Sequence, residues 1–94
     1  MKVTVENQPT YYVRWHYSGS VKKRRTECFI YKVEGDEKVI IATGHAKRMH
    51  DDGFQKDIGR KNSLTKALRN AGFDKPTRTE MWRTYKSTIN TIMK

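Results

Sequence analysis

The sequence predicts an α+β domain, a three-stranded antiparallel sheet followed by two helices in the order β-β-β-α-α. Three observations carry this. Residues 10–46 alternate apolar and polar side chains with turn residues between the runs, which is the period of half-buried strands. Residues 51–92 switch to helical spacing. The strands all precede the helices, so a βαβ arrangement is excluded.

Residues 1–9 read as a flexible or edge lead-in ending at Pro9. The first strand runs from Thr10 to Tyr17, with Tyr11, Val13, Trp15 and Tyr17 on one face and Tyr12, Arg14 and His16 on the other. Ser18-Gly19-Ser20 marks a turn. Arg24 to Val33 is the second strand, and its facing is open. Phe29, Tyr31 and Val33 line one side, Cys28 and Ile30 the other. Gly35-Asp36 closes a hairpin onto a third strand, Lys38 to Ala46. There Ile40, Ala42, Gly44 and Ala46 share a face, and its small residues leave room for a closely packed helix.

A first helix is expected from Asp51 or Asp52, whose acid suits the positive end of the helix dipole. Its apolar stripe is Phe54, Ile58, Leu64, Leu68 and Ala71, interrupted by Gly59 and the run Arg60-Lys61-Asn62-Ser63. One helix with a weak point over 52–71, or two short ones capped at Asn62 or Ser63, both satisfy the pattern. Gly72 fits the C′ position and Phe73 the contact after it. Thr77-Arg78-Thr79-Glu80 is a capping-box sequence opening a second helix over 77–93, with Met81, Trp82, Tyr85, Ile89 and Ile92 on its buried stripe.

The chain of 94 residues fits one domain, 1–94. Hydrophobic residues make up only 35%, but two Trp, five Tyr and three Phe supply enough apolar area for a small core. Cys28 is the only cysteine, so neither an intramolecular disulfide nor a cysteine-based zinc site is possible. No apolar run approaches a membrane span, and Met1 to Glu6 lacks the apolar stretch of a secretion signal. A cytoplasmic protein that does not engage membranes is the expectation.

Charge points to the partner. Twenty Lys and Arg face ten Asp and Glu, a net charge of +10, with cations in excess in both residues 1–43 and 44–94. The excess therefore belongs to the folded surface and not to a tail, and an acidic polymer is its natural ligand. Lys22-Lys23-Arg24-Arg25 sits at the first hairpin turn, where four adjacent cations repel one another until a polyanion relieves them. The plainer alternative is a solvated turn that guards an edge strand. Tyr12, Arg14 and His16 form a second candidate contact, with stacking and groove-facing groups on one strand face. Lys56, Arg60 and Lys61 form a third, on the expected exposed helix side with Ser63 and Asn70. Nucleic acid is the expected partner, DNA ahead of RNA, with weak sequence preference because phosphate contacts position without specifying.

Two other readings remain. A basic domain can dock on an acidic surface of another protein, steered by charge and held by an aromatic hot spot. His45, His50, Asp51, Asp52 and Asp57 carry ligand types for a metal-dependent nuclease, but their spacing matches no metal motif. No P-loop and no nucleophile–base arrangement is present, so no catalytic residue, metal or cofactor is assigned.

The stretch Asp52-Gly53-Phe54-Gln55-Lys56-Asp57-Ile58-Gly59-Arg60-Lys61-Asn62-Ser63-Leu64-Thr65-Lys66-Ala67-Leu68 is similar to a segment of small uncharacterised bacteriophage proteins, with the pattern D-x-F-x-K-x-x-G-R-K-x-x-L-x-x-A-L. The preceding Thr43-Gly44-His45-Ala46 and the later Met81-Trp82-Arg83-Thr84-Tyr85 extend the likeness over roughly the last half of the chain. The resemblance implies a phage origin, a host bacterial cytoplasm, and a host protein as the partner in the second reading. It carries no activity. The order of strands before a basic-tipped helix also resembles double-stranded RNA-binding domains. Their first helix and the Lys-Lys start of their last helix are missing, so that likeness is one of fold alone.

Overall fold

In the computed structural model, residues 1–19, 25–47 and 56–92 are described, with side chains except at 56, 57 and 89–92. The elements are β1 (Lys2–Val3), β2 (Tyr11–Ser18), β3 (Arg25–Glu34), β4 (Glu37–Lys47), α1 (Lys56–Ala71) and α2 (Lys75–Ile92). The protein is α+β, with an antiparallel sheet in the order β1-β2-β3-β4 followed by the two helices.

The sheet has four strands, not the expected three. The lead-in supplies the extra one. Lys2 and Val3 pair with Tyr12 and Tyr11, and the Val13 N–H donates to the Met1 carbonyl at 2.8 Å. Val3 and Val5 are buried, so this edge segment is tied down by apolar burial as well as by hydrogen bonds.

Strand alternation decides which face is wet. Val13 pairs with Ile30, Trp15 with Cys28 and Tyr17 with Thr26, and Ala46, Gly44 and Ala42 continue these rows on β4. This face carries both helices. Tyr11, Val13, Cys28 and Ile30 pack with Leu64, Ala67 and Leu68 of α1 and Met81 and Tyr85 of α2. Each fully buried aliphatic or Met side chain here contributes roughly 1.5–3 kcal/mol. The open facing of β3 is thereby resolved, with Cys28 and Ile30 inside and Phe29 and Tyr31 outside.

Four residues depart from the expected facing, Ile40, Ile58, Arg60 and Ser63. A bulge between Ala42 and Ile40 leaves Ile41 as the extra residue, so Ile40 pairs with Tyr31 on the outer face and is 60% exposed. Ile58 is also exposed, whereas Ser63 is fully buried. The true inner stripe of α1 is Arg60, Ser63, Leu64, Ala67 and Leu68, at helical spacing but with two polar members.

The first helix has no break. It runs continuously from Lys56 to Ala71 through Gly59, and neither Asn62 nor Ser63 acts as a cap. The expected start at Asp51 or Asp52, and Phe54, lie outside the described residues. Ser63 satisfies its buried hydroxyl by donating to the Gly59 carbonyl at 2.7 Å and the Arg60 carbonyl at 3.1 Å. Gly72 ends the helix at φ +67°, a conformation that favours glycine, and Phe73 packs on Tyr11 with ring centroids 4.9 Å apart.

The second helix starts two residues before the expected capping box. Asp74 is its cap, with its carboxylate accepting from the Thr77 N–H at 3.0 Å. Hydrogen bonds from Thr77, side chain first and backbone second, hold the Asp74 carboxyl below the usual carboxylate range. Thr77 itself is buried. Pro76 falls in the first turn, where its missing N–H leaves no bond unmade.

Candidate nucleic-acid interface

With both helices on one face, the opposite face of the sheet meets solvent. Cross-strand register assembles it row by row. Tyr12 lies opposite Tyr31 and Tyr31 opposite Ile40; Arg14 lies opposite Phe29 and Phe29 opposite Thr43. His16 lies opposite Glu27, and Glu27 opposite His45. Ser18, Arg25 and Lys47 form the last row.

The chemistry of this face is aromatic and cationic. The Tyr12 and Tyr31 rings are nearly parallel, at 18°, with centroids 5.4 Å apart. The Lys38 ammonium sits over the Tyr31 ring, 5.4 Å from its centroid, within reach of a cation–π attraction. Alternation also brings Lys2, Arg14, Arg25 and Lys47 to this face. Glu27 is the one carboxylate in the rows from Tyr12 to Lys47, and Arg25 Nε lies 3.6 Å from it. A hollow of about 430 Å³ opens here, lined by Arg14, His16, Phe29, Tyr31, Lys38 and Ile40 among others.

Of the residues expected to contact phosphate or base, the structure brings Tyr12, Arg14, His16 and Arg25 onto this single face. Arg14 and His16 are exposed and Tyr12 is half-buried. Lys22, Lys23 and Arg24 lie outside the described residues, as does the side chain of Lys56.

Arg60 is a correction. It is 8% exposed and directed into the protein, not outward to a ligand. Its guanidinium donates to the hydroxyls of Tyr17 at 3.1 Å and Tyr85 at 3.5 Å, and its carbonyl accepts from the Trp15 indole at 3.3 Å. Burial disfavours the charged form, but the two hydroxyls more than offset it, and the net shift of its pKa is upward. Lys61 is exposed, but α1 lies on the far side of the sheet from Tyr12, Arg14 and His16. Asn70 is exposed as expected, yet its amide donates to the Thr43 carbonyl at 2.8 Å and ties α1 to β4.

Phe29, Tyr31, Lys38 and Ile40 complete the site without having been singled out for it. The alternation of Phe29 and Tyr31 was visible, but not which face the helices would take. The outward turn of Ile40 depends on the bulge, for which the sequence carries no signal. For the metal reading, His45 is an exposed strand residue. His50, Asp51, Asp52 and the Asp57 side chain lie outside the described set. Among the described residues, no group of three His, Cys, Asp or Glu side chains is placed to hold a metal. No helix among them is long and apolar enough to cross a membrane. No family model matches this chain, and no match was found among curated proteins or solved structures.

Proposed function

We propose that this chain is a non-enzymatic nucleic-acid-binding protein that holds its ligand on the helix-free face of the sheet. One observation carries the reading: the face left clear by both helices gathers Lys2, Arg14, Arg25, Lys38 and Lys47 around half-buried aromatic rings, with Glu27 as the opposing charge. Cations neutralise phosphates and release their counterions, while rings accept bases. Lys22, Lys23 and Arg24 immediately precede Arg25 in sequence and add three positive charges to the chain there. Phosphate contacts position the ligand, so sequence preference is weak, and DNA stands ahead of RNA. The phage resemblance adds a host bacterial cytoplasm as the setting.

Gel shifts across a salt series test this. Five phosphate contacts imply that affinity falls roughly 100- to 500-fold between about 50 and 200 mM salt. Arg14→Gln and Lys38→Gln should each weaken binding and flatten the salt slope by about one unit. Lys66→Gln and Lys86→Gln, on the exposed sides of the helices, should leave both nearly unchanged. Equal losses from the two pairs of variants would remove the sheet face as the interface. Retention of one stoichiometric host protein after nuclease treatment, with no salt-dependent nucleic-acid binding, would move the function to protein docking.

A further inference from the structure

We infer that the ligand is single-stranded nucleic acid, with one base stacked on Phe29 in the hollow between β2, β3 and β4. This rests on the nucleic-acid reading and sharpens it to a ligand class and a contact.

Phe29 is the unexplained ring of the sheet. Tyr11 packs on Phe73, and Trp15 and Trp82 pack edge-on against Tyr85, all on the helix side. On the open side Tyr12 and Tyr31 cover each other. Phe29 makes no ring contact among the described residues, and its direct cross-strand neighbours are Arg14 and Thr43. A half-buried phenyl ring between a guanidinium and a threonine contributes little to a core. It does line a hollow together with Arg14 and His16 of β2, Tyr31 of its own strand, and Lys38 and Ile40 of β4. The hollow, about 430 Å³, is an open depression with room for a flat ring to lie against the sheet.

A nucleotide matches this lining part by part. Its base has a π-face for Phe29 and apolar contact for Ile40, which is 60% exposed. Its flanking phosphates meet Arg14 and Lys38. An acidic protein surface would satisfy the cations, but its carboxylates are not each joined to a flat ring as every phosphate of a nucleic-acid strand is joined to a base. A duplex fails differently, because its bases are stacked on one another and only their edges reach a protein.

Fluorescence anisotropy with the full chain at one fixed salt decides the matter. The probes are oligo-dT and oligo-U of about twenty nucleotides, a duplex of equal length, and inorganic polyphosphate as a competitor without bases. Oligo-dT or oligo-U should bind about tenfold or more tighter than the duplex, and polyphosphate should compete poorly. Phe29→Leu should cost single-strand affinity about tenfold while leaving polyphosphate binding unchanged. Phe29→Trp should keep that affinity, and its added indole emission should be quenched by oligo-dT but not by polyphosphate. Circular dichroism melts establish that each variant is folded. The comparison of probes on the unmodified chain needs no variant.

Duplex binding as tight as single-strand binding overturns this inference and leaves the nucleic-acid reading standing. Equal loss on all probes from Phe29→Leu does the same to the stacking contact. Absence of binding to every probe overturns both.

Discussion

The Arg60 guanidinium is held by the hydroxyls of Tyr17 on β2 and Tyr85 on α2, while its backbone belongs to α1. Its removal therefore takes a donor from each of two other elements. Arg60→Leu should cost about 2 kcal/mol of stability, the scale of hydrogen bonds to a charged group, as read by urea denaturation. Because Arg60 lies behind the sheet, affinity of the folded variant for nucleic acid should stay within about twofold of the parent at physiological salt. A tenfold loss of affinity in a fully folded variant would return Arg60 to the interface. The helical period that places Arg60 inside was present in the sequence, since 60, 63, 64, 67 and 68 fall on one stripe. Its polar members hid it, and Ile58 drew the reading to the wrong phase. Tyr12, Arg14 and His16 were legible because alternation in a strand depends on parity alone.

Between elements, α1 lies close against β4 at Gly44. A Cβ placed on Gly44 would collide with the Ser63 backbone oxygen and the Ala67 backbone nitrogen, neither of which can turn aside as a side chain does. Gly44→Ala should therefore destabilise the fold by about 3 kcal/mol or more, despite the better strand entropy of alanine, because the helix must lift from the sheet. A denaturation midpoint equal to the parent's would show that α1 is not seated there. The small residues Ala42, Gly44 and Ala46 announced this contact in the sequence. The strand Lys2–Val3 did not announce itself, because two residues are too few to show a period. Its existence follows from burial of Val3 and Val5 beside β2 and α2, a tertiary effect. Asp74 escaped notice as a cap because Thr77 to Glu80 offers a second, equally well-formed signal three residues on.

For the molecule as a whole, Cys28 reports global integrity. The thiol lies at the centre of the sheet with no exposure, and burial pushes its pKa up from 9.0 to about 12. In the folded protein it should resist thiol reagents at neutral pH, reacting at the rate at which the core opens. Rapid modification under native conditions would contradict the packing of β3 against α1. Linkage adds a pH dependence. The raised folded pKa leaves stability intact below about 9 and erodes it as pH climbs toward 12, and Cys28→Ala should flatten that part of the profile. The division of the sheet into a dry face and a wet face was implicit in its alternation. Which face was which waited on the helices, and charge alone could not decide it.

The extra residue at Ile41 has a consequence for how this face tolerates change in chain length. In a regular ladder a one-residue deletion inverts every side chain beyond it. Here β4 already contains one residue more than β3 can match between Ile40 and Ala42. Removing Ile41 would close the bulge with Lys38 and Ile40 still outward and Ala42, Gly44 and Ala46 still beneath the helix. The hairpin tip thus keeps its own count, out of step with the rest of the strand. That offset is what delivers Lys38 to the ring of Tyr31.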